Sequence, residues 1–417
     1  MINGALQLPW TSETVPHAVL DILRGCNISC RDCYNLQPDY IKPLPEIEAQ
    51  LDALMRLRRL QSVSIVGGEI TLHPTLVEIV RRVRQRGLFV ELFTNGVSLN
   101  DDLLVRLKQA GANVIFLHIE SGQQRPDLPA GATKEDLNRL REEKVALIAA
   151  HGIEAGLAVT AYPDKPGEVE DAIAFTLASP HLCYLLVTWW RDVSRMPAIT
   201  GDLRWGMFSN TKTHATAVQR EVRPEQLCKW LDQEFKISPF AYLGSNLDPA
   251  EPRWMSFLTA TVHRQDELIQ QHSLRPTWVE KTVLEASRKL TGRYPFYQKQ
   301  RSWQTGFHLL LNGLVGGNIS GSLKLLCCAT RPGVRLSAKR FLFQWPATID
   351  ERGRVVHCQS CPDAVMKDGR LVPLCISDCV SSSSLMGKCV PTGIPVSRGS
   401  PGAPHSSTPA IPGWNAD

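Results

Sequence analysis

The sequence predicts an α/β fold in which helices pack outside a parallel β-sheet. Between about residues 17 and 190, short apolar runs alternate six times with amphipathic stretches, which is the pattern of repeated strand–helix units. Nearly every unusual residue of this region follows directly after an apolar run, at the strand end where parallel α/β folds place functional side chains. The sheet is either curled as a partial barrel or open.

The first three strands are predicted near residues 18–24, 62–66 and 88–93, with helices at about 45–60 and 74–86 between them. A proline suits the first turn of the second helix, and a glycine ends it. Apolar residues recur at helical spacing in both helices: Ile47, Leu51, Leu54 and Met55 in the first, and Leu76, Ile79, Val80 and Val83 in the second.

The later units continue the series. A helix at 101–110 is predicted to be capped by Asn100 and stopped by Gly111. The next helix opens with a capping-box variant at Thr133 and closes at Gly152. The remaining elements are predicted as strands at 114–117, about 154–161 and about 183–189, and a helix near 167–178.

Composition divides the chain further. The strand–helix region spans 12–199, and residues 200–310 are predicted to be a helical cap or bridging region rich in Trp, Arg and Gln. Residues 311–380 are rich in Gly and Cys with hairpin signals, which predicts a small Cys-rich C-terminal domain. Ser, Pro and Gly make up 19 of the 37 residues in 381–417, so a disordered tail is expected there.

Composition and charge exclude several function classes. The chain has 417 residues, 43% apolar and 21% charged, with a net charge of +5. This charge is small for the length, and no block of Lys and Arg suits a phosphate backbone, so no nucleic-acid partner is predicted. No apolar run approaches the roughly 20 residues of a membrane span. The first residues lack a secretory signal pattern, which predicts a protein that is not exported.

Three closely spaced thiols follow the first strand, namely Cys26, Cys30 and Cys33. They are one ligand short of a closed tetrahedral zinc site, and the next imidazole in the chain is that of His73. An iron–sulfur cube held by three thiolates keeps one iron free to bind a substrate or cosubstrate. The spacing therefore favours a working cluster over a structural metal site.

Most of the other cysteines are also clustered. Seven of the twelve lie between Cys327 and Cys389. In a chain without an export signal, such clusters indicate metal ligands rather than disulfides, and imply a reducing, cytoplasmic location. Cys183 and Cys228 stand alone and are predicted to be ordinary buried thiols.

Three motifs in order along the chain resemble the radical S-adenosylmethionine superfamily. They are the cysteine loop, Gly67-Gly68-Glu69 after the second strand and Thr94-Asn95-Gly96 after the third. The resemblance covers about residues 17–190 and implies a partial (β/α)6 TIM-like barrel. It further implies that Cys26, Cys30 and Cys33 hold a 4Fe–4S cluster whose open iron binds S-adenosylmethionine.

The resemblance also implies a mechanism. The reduced cluster passes an electron to the sulfonium, and the resulting 5′-deoxyadenosyl radical removes a hydrogen atom from an unactivated C–H bond. A reducing partner such as ferredoxin or flavodoxin is implied as the electron source. Because cluster potentials depend on charge, hydrogen bonding and solvent, a dry site matters.

The glycine–glycine–acid motif has an implied role in binding the cosubstrate. Gly67 and Gly68 would let backbone carbonyls approach the ligand's ammonium closely, and Glu69 would add a carboxylate for the same cation. The alternative is a plain strand-to-helix turn with a solvated Glu69.

The third and fourth strands supply further implied contacts. Thr94, Asn95 and Gly96 resemble third-strand contacts to the ligand, with a plain turn as the alternative. Alternation puts His118 and Glu120 on one face, within reach of the ribose or the methionine carboxylate, where many relatives have Ser-x-Asp. His118 is otherwise a satisfied core residue. The aromatic residue that often precedes the third cysteine in the family is replaced by an aspartate, so adenine packing is expected to differ.

The C-terminal cysteines resemble a divergent SPASM- or twitch-type auxiliary-cluster domain. One auxiliary 4Fe–4S cluster is predicted on four thiols: Cys328 (or Cys327), Cys358, Cys361 and Cys375. Cys379 and Cys389, which border the predicted tail, are weaker candidates. The alternative is a zinc ion held by four cysteines.

The leading hypothesis is an enzyme that activates a C–H bond of a small organic or natural-product substrate bound between the barrel and the C-terminal domain. Fewer than about 20 residues precede the first strand. This argues against a cobalamin domain and weakens, without removing, the alternative of a peptide maturase. Trp189 and Trp190, followed by Arg191 and Asp192, either line the substrate pocket or pack beneath the cap. A non-catalytic zinc- or cluster-binding redox module is the alternative from another class.

Overall fold

The computed structural model describes residues 4–31, 33, 35, 40–191, 222–296, 302–316, 319–350, 352 and 354–380. The predicted tail, the 199/200 boundary, Asp192 and Cys389 lie outside these residues.

The N-terminal half alternates strands and helices as the sequence predicts. Its strands are β1 (Leu6–Gln7), β2 (His17–Asp21), β3 (Ser29–Cys30), β4 (Ser62–Val66), β5 (Phe89–Thr94), β6 (Val114–His118), β7 (Gln123–Gln124), β8 (Glu154–Ala161) and β9 (Leu182–Trp189). Its helices are α1 (Leu44–Leu57), α2 (Leu76–Gln85), α3 (Asp101–Ala110), α4 (Lys134–Ala150) and α5 (Gly167–Ala178), with a short 3-10 helix at Ile70–Leu72.

Local signals placed several helix ends correctly. The Asn100 side chain accepts a hydrogen bond from Leu103 N at 2.9 Å at the start of α3. Gly111 ends α3 with φ +102°, a conformation that favours glycine. Thr133 and Asp136 form the predicted capping box of α4.

Six parallel strands make up the centre of the main sheet, in the order β2–β4–β5–β6–β8–β9. This confirms the six strand–helix units and the parallel sheet. The sheet then continues past β9, and within the described residues its two end strands, β1 and β2, do not pair with each other. The α/β barrel is therefore partial, because the sheet does not close on itself.

The second half adds strands and helices to this framework. The strands are β10 (Pro239–Gly244), β11 (Pro252–Arg264), β12 (Glu267–Leu274), β13 (Val334–Gln344), β14 (Thr348–Ile349), β15 (Val355–Val356), β16 (Ala364–Lys367) and β17 (Arg370–Pro373). The helices are α6 (Pro224–Phe235), α7 (Trp278–Thr291), α8 (Ser302–Gly316) and α9 (Ile319–Ala329), with a 3-10 helix at Leu374–Ile376.

These strands correct the predicted helical cap and the boundary at 310/311. β10, β11 and β12 lie within 200–310 but belong to the main sheet, and β13 joins them to β9 by parallel pairing. Among the described residues of 200–310, the predicted helical pattern holds for α6, α7 and part of α8. Because β11 is buried on both faces, its sequence lacks the alternation of apolar and polar residues that would indicate a strand.

The sheet has apolar residues on both faces. One face packs against α1 to α5 and contains most of the large hydrophobic core. On the other face, Val19, Val66 and Phe93 contact Val365 and Leu374 of the C-terminal segment. The β16–β17 hairpin, which turns at Asp368-Gly369 with positive φ at both residues, therefore packs on the inner face of the partial barrel. Within the described part of the chain, no helix has the length and apolar character that crossing a membrane requires.

Candidate active site

The loop that carries Cys26, Cys30 and Cys33 lies beyond the C-terminal end of β2. It is paired with the loop that follows β6, because Ser29 and Cys30 of β3 face Gln124 and Gln123 of β7. The backbone N–H of Arg31 also donates to Gly122 O at 2.7 Å. The cysteine loop is therefore attached to the end of a strand three positions away in the sheet.

The three thiols lie within electrostatic range of one another. Burial raises the pKa of Cys33 to about 11, and the nearby thiols of Cys30 and Cys26 add to the rise. Burial also raises the pKa of Cys26, with Cys30 and Glu69 contributing. Such thiols lose their protons only when a bound cation compensates the charge. Among the described residues, no three His, Cys, Asp or Glu side chains are grouped as ligands of a single metal ion.

Gly67 and Gly68 pack against the segment just before Cys26. A Cβ on Gly67 would lie 2.5 Å from Leu23 O, and one on Gly68 would lie 2.2 Å from Gly25 O. Gly68 N donates to Leu23 O, and Glu69 N donates to Gly25 O, both at 2.9 Å. The glycines thus allow close contact between two backbone segments, whereas the sequence suggested close approach to a ligand.

The Glu69 carboxylate is fully buried and accepts four hydrogen bonds from the protein. Thr71 donates from its backbone N–H at 3.0 Å and its hydroxyl at 2.6 Å, and the Thr94 hydroxyl donates at 2.6 Å. Asn95 N donates to the second oxygen at 2.7 Å. In this structure the carboxylate joins the ends of β4 and β5, and its predicted contact with the ligand's ammonium stays a prediction.

The turn after β5 reaches the cysteine loop. Asn95 Nδ2 lies 3.8 Å from Cys26 Sγ and donates to Asn27 Oδ1 at 2.7 Å. Gly96 has φ +79°, and a Cβ there would meet the Leu117 side chain at 2.9 Å. The third motif therefore lies beside the first cysteine, as expected of strand ends that share one edge of a parallel sheet.

His118 and Glu120 lie together, as alternation predicted. His118 Nε2 is 3.2 Å from Glu120 Oε2, and the exposed fraction is 33% for the His118 side chain against 1% for that of Glu120. Burial disfavours charge on His118, but Glu120 and Cys30 outweigh it and raise its pKa to about 10. Of the two, only His118 keeps surface open toward the site.

Glu120 connects β6 to β8. It accepts from Thr160 N at 2.7 Å and from Tyr162 Oη at 3.2 Å. Burial opposes its ionisation, but these hydrogen bonds and His118 keep its pKa below the ordinary value. The carboxylate is buried and joins the two strands, and its predicted reach to a ribose or methionine carboxylate stays a prediction.

Two further residues, which were not predicted from the sequence, help to attach the cysteine loop to the strand ends. Tyr162 follows β8 and its hydroxyl contacts Arg31 O at 2.8 Å. Arg125 is buried and donates to Asn95 O at 2.8 Å while pairing with Asp127 at 2.6 Å. Tyr162 could have been predicted, because it directly follows a strand, where parallel α/β folds place functional residues. No local sequence pattern indicates the position of Arg125.

The C-terminal cysteine segment is held by three buried arginines. Arg24 pairs with Asp378 through two hydrogen bonds of 3.1 and 3.2 Å. Arg58 donates to Cys361 O at 2.9 Å, and Arg191 donates to Cys375 O. These contacts fix the segment against β2, α1 and the end of β9.

Three of the predicted auxiliary ligands lie near one another. The Cys358 thiol hydrogen-bonds that of Cys361 and, with burial, raises the pKa of Cys361 well above its ordinary value. Burial also raises the pKa of Cys375, and Cys361 contributes to the rise. Cys375 packs in the same apolar cluster as the buried Cys379.

The fourth predicted ligand, Cys328, lies elsewhere. It is on α9, where its thiol donates to Gln270 Oε1 at 3.0 Å, and Gln270 pairs with Val262 near the end of β11. The thiol of Cys358 contacts Arg253 O at the opposite end of that strand. Nine residues of strand separate the two by about 30 Å. Cys328 and its neighbour Cys327 are therefore corrected, since neither can join the other three thiols.

The two tryptophans at the end of β9 differ in burial. Trp189 is buried in the large core and packs on Trp345 with ring centroids 6.0 Å apart. Trp190 is half-buried, and its backbone N–H donates to Ala161 O at 3.1 Å. Trp189 is thus a packing residue, and only Trp190 has surface to offer a pocket.

A cysteine loop fixed to the strand ends of a partial parallel barrel defines a class of proteins that carry a sulfur-ligated cluster at the barrel mouth. The family model described as the Radical SAM superfamily matches residues 20–177, so this part of the chain is a radical SAM domain. The family uses a 4Fe–4S cluster and S-adenosylmethionine.

Curated relatives match over part of the same region. A tungsten-containing aldehyde ferredoxin oxidoreductase cofactor-modifying protein of Pyrococcus furiosus is 25% identical over 160 residues, covering 35% of this chain and 45% of the relative. A probable GTP 3′,8-cyclase of Pyrococcus abyssi is 26% identical over 111 residues, covering 24% and 34%. The chain thus spans less than half the length of these relatives.

Solved structures are similar at low identity. Streptococcus suis SuiB bound to S-adenosylmethionine is 15% identical with a TM-score of 0.35, over 44% of this chain and 42% of that one. Methylornithine synthase (PylB) is 17% identical with a TM-score of 0.33, over 43% and 55%.

Proposed function

We propose that this protein is a radical enzyme that cleaves S-adenosylmethionine reductively and removes hydrogen from an unactivated C–H bond of an organic substrate. The observation that carries the proposal is the attachment of the cysteine loop to the ends of β4, β5, β6 and β8. Residues that follow these strand ends contact the loop and the segment before it, at Leu23, Gly25, Cys26, Cys30 and Arg31.

The donor set fits an iron–sulfur cluster. Cys26, Cys30 and Cys33 supply three sulfur ligands on one short loop, and the raised pKa values of Cys26 and Cys33 suit coordination rather than free thiolate chemistry. When bound, the cluster supplies a free iron for the cosubstrate and the electron that cleaves it.

The chain's own residues prepare this site. Asn95 Nδ2 points at Cys26 Sγ, and such donors stabilise extra negative charge on a sulfur. His118 lies against Glu120 and Cys30, which raise its pKa against the effect of burial and so favour a cation beside the sulfurs. The guanidinium carbon of Arg31 lies 4.8 Å from the centroid of the Tyr162 ring, and the same guanidinium pairs with Asp164. We expect these three side chains to border one side of the barrel mouth.

A second cluster is part of the proposal. Its ligands are Cys358, Cys361 and Cys375, as the spacing predicted, with Cys379 taking the place of Cys328. Cys379 is buried in the same cluster of side chains as Cys375 and lies four residues from it. Arg58 and Arg191, which are buried and donate to backbone carbonyls of this segment, favour a group that carries negative charge, such as a thiolate-bound cluster.

The C-terminal hairpin packs on the inner face beside Val19, Val66 and Phe93, so the substrate is expected at the mouth, near His118 and Trp190. The proposed substrate is a small organic molecule, and a peptide is the alternative substrate class. A low-potential protein such as ferredoxin or flavodoxin would supply the electron.

Anaerobic reconstitution with iron and sulfide tests the proposal. The expected product is a brown protein that, after reduction, converts S-adenosylmethionine to 5′-deoxyadenosine. Cys30→Ala should abolish this conversion, whereas Cys228→Ala, which removes a lone thiol from the apolar core, should retain it. A colourless protein that binds only zinc and leaves S-adenosylmethionine intact would support the non-catalytic alternative instead.

A further inference from the structure

Three helices of the C-terminal half, α7, α8 and α9, carry large apolar side chains that are exposed. Its side chains are large and exposed, with exposed fractions of 65% for Trp278 and Trp303, 59% for Phe307 and 85% for Leu290. We call this surface the apolar patch, and it comprises Trp278, Val283, Leu290, Trp303, Phe307, Leu314, Ile319 and Leu323. Several large apolar side chains exposed on neighbouring helices indicate an interaction site.

The patch is a consequence of how the helices pack. On α8, Leu309 is buried against the sheet, while Trp303, Phe307 and Leu314 repeat on the opposite side at helical spacing. On α9, Leu325 is buried and Leu323 is exposed. None of the residues of α7 is buried. Helices α8 and α9 therefore have apolar residues on two sides, of which the sheet covers one.

The charges in the segment that carries the patch are mostly positive. Between residues 278 and 331 the described residues include six basic side chains and two acidic ones: Lys281, Arg288, Lys289, Arg293, Lys324 and Arg331 against Glu280 and Glu285. Glu280 is turned inward to bond Thr277, His308 and Asn312. Glu285 is paired with Arg288 at 3.1 Å. Helices α8 and α9 contain no Asp or Glu.

We propose that the apolar patch binds the surface of an anionic lipid bilayer, with Trp303 and Phe307 entering the headgroup region. Exposed aromatic and aliphatic side chains on a surface bordered by Lys and Arg are the combination that binds such interfaces. A second copy of the chain would bring the same positive charge against the patch, so charge complementarity favours an anionic partner.

Vesicle flotation with the reconstituted full-length protein tests this proposal. The protein should float with vesicles that contain phosphatidylglycerol, more weakly with pure phosphatidylcholine, and less at high salt. The double variant Trp303→Ser/Phe307→Ser should bind about tenfold more weakly or worse, because two interfacial anchors are lost. The control Leu57→Ser/Val105→Ser removes side chains that are 42% and 40% exposed on other helices and should bind as the parent does.

A charge-reversal variant makes the test independent of the aromatic residues. Lys281→Glu/Lys289→Glu should lower binding to the anionic vesicles and leave the circular dichroism spectrum unchanged. The proposal is overturned if the parent protein does not float with anionic vesicles, or if both patch variants bind as tightly as the control. It is also overturned if the patch variants only abolish a concentration-dependent dimer or the capture of an acidic protein.

Discussion

Arg24 and Asp378 form a buried ion pair with two hydrogen bonds, of 3.1 and 3.2 Å, although 354 residues of sequence separate them. Arg24 precedes the first cysteine of the N-terminal loop by two residues, and Asp378 precedes Cys379 directly. A second carboxylate, that of Asp21, lies 2.6 Å from the same guanidinium. The pair therefore joins the two cysteine segments proposed to hold clusters.

Asp378→Ala should lower the free energy of unfolding by about 3 kcal/mol, because it leaves part of the charge of a buried guanidinium uncompensated. Asp164→Ala is the matched control, since it removes the partner of Arg31, another arginine near the cysteine loop, from an exposed pair. The control should cost less than about 1 kcal/mol. Urea titrations of both variants give the comparison, and equal costs would contradict a special role for the buried pair.

Gly68→Ala should prevent the cysteine loop from taking its position, because the new Cβ would lie 2.2 Å from a backbone oxygen of Gly25. The measurement is iron content after reconstitution. We expect a loss of roughly half or more of the iron of the N-terminal site, because side-chain motion cannot relieve a clash with the backbone. Gly25→Ala offers the control, because a Cβ there meets nothing within 4 Å. Equal iron content in the two variants would show that the contact is unimportant.

Asn95→Ala should make the reduction potential of the N-terminal cluster more negative, by something on the order of tens of millivolts, because an N–H donor near a ligand sulfur stabilises the reduced state. Redox titration followed by electron paramagnetic resonance measures the shift. Asn138→Ala is the control, since its side chain bonds Arg141 on α4. A potential that moves equally in both variants, or not at all, would exclude this role for Asn95.

Glu91→Gln should change the pH dependence of stability. Burial raises the pKa of Glu91 from 4.5 to about 7, with Asp363 contributing, against the hydrogen bond from Ser64 and the charge of Arg340. The folded state holds this proton more tightly, so the stabilisation is complete below about pH 4.5 and is lost as the pH rises through about 7.

The Gln variant has no such loss. Its unfolding free energy relative to the parent should therefore increase by about 2 kcal/mol between pH 5 and pH 8. His17, whose burial lowers its pKa to about 3, is present in both proteins and cancels in the comparison. Denaturant titrations at the two pH values decide the point, and a constant difference would mean that Glu91 keeps an ordinary pKa.

Cys379→Ala should remove the auxiliary iron, whereas Cys328→Ala should retain it. Both changes are made in a Cys26→Ala/Cys30→Ala/Cys33→Ala background, in which about four irons are expected from one remaining cluster. Cys328 is placed about 30 Å from Cys358 along β11, so its loss should have no effect. Retention of iron in the Cys379 variant, or its loss in the Cys328 variant, would overturn the ligand set.

Much of the N-terminal half was determined by the sequence because its signals are local. The strand at 62–66 and the helices at 101–110 and 167–178 lie where apolar periodicity and end signals put them. Parallel strands end at one edge, so the cysteine loop had to lie near the motifs at Gly68 and Asn95.

The tertiary structure alone decided which chemistry each residue serves. Glu69 follows a strand as a ligand-binding acid would, but it is buried among Thr71, Thr94 and Asn95 and holds the turns together. Cys328 has the right residue type for a cluster, yet it lies on α9, while Cys379 lies with Cys375. Contacts such as Arg24 to Asp378 join segments that are far apart in the chain, and no local pattern specifies them because their energy is gained only when the sheet has brought the two segments together.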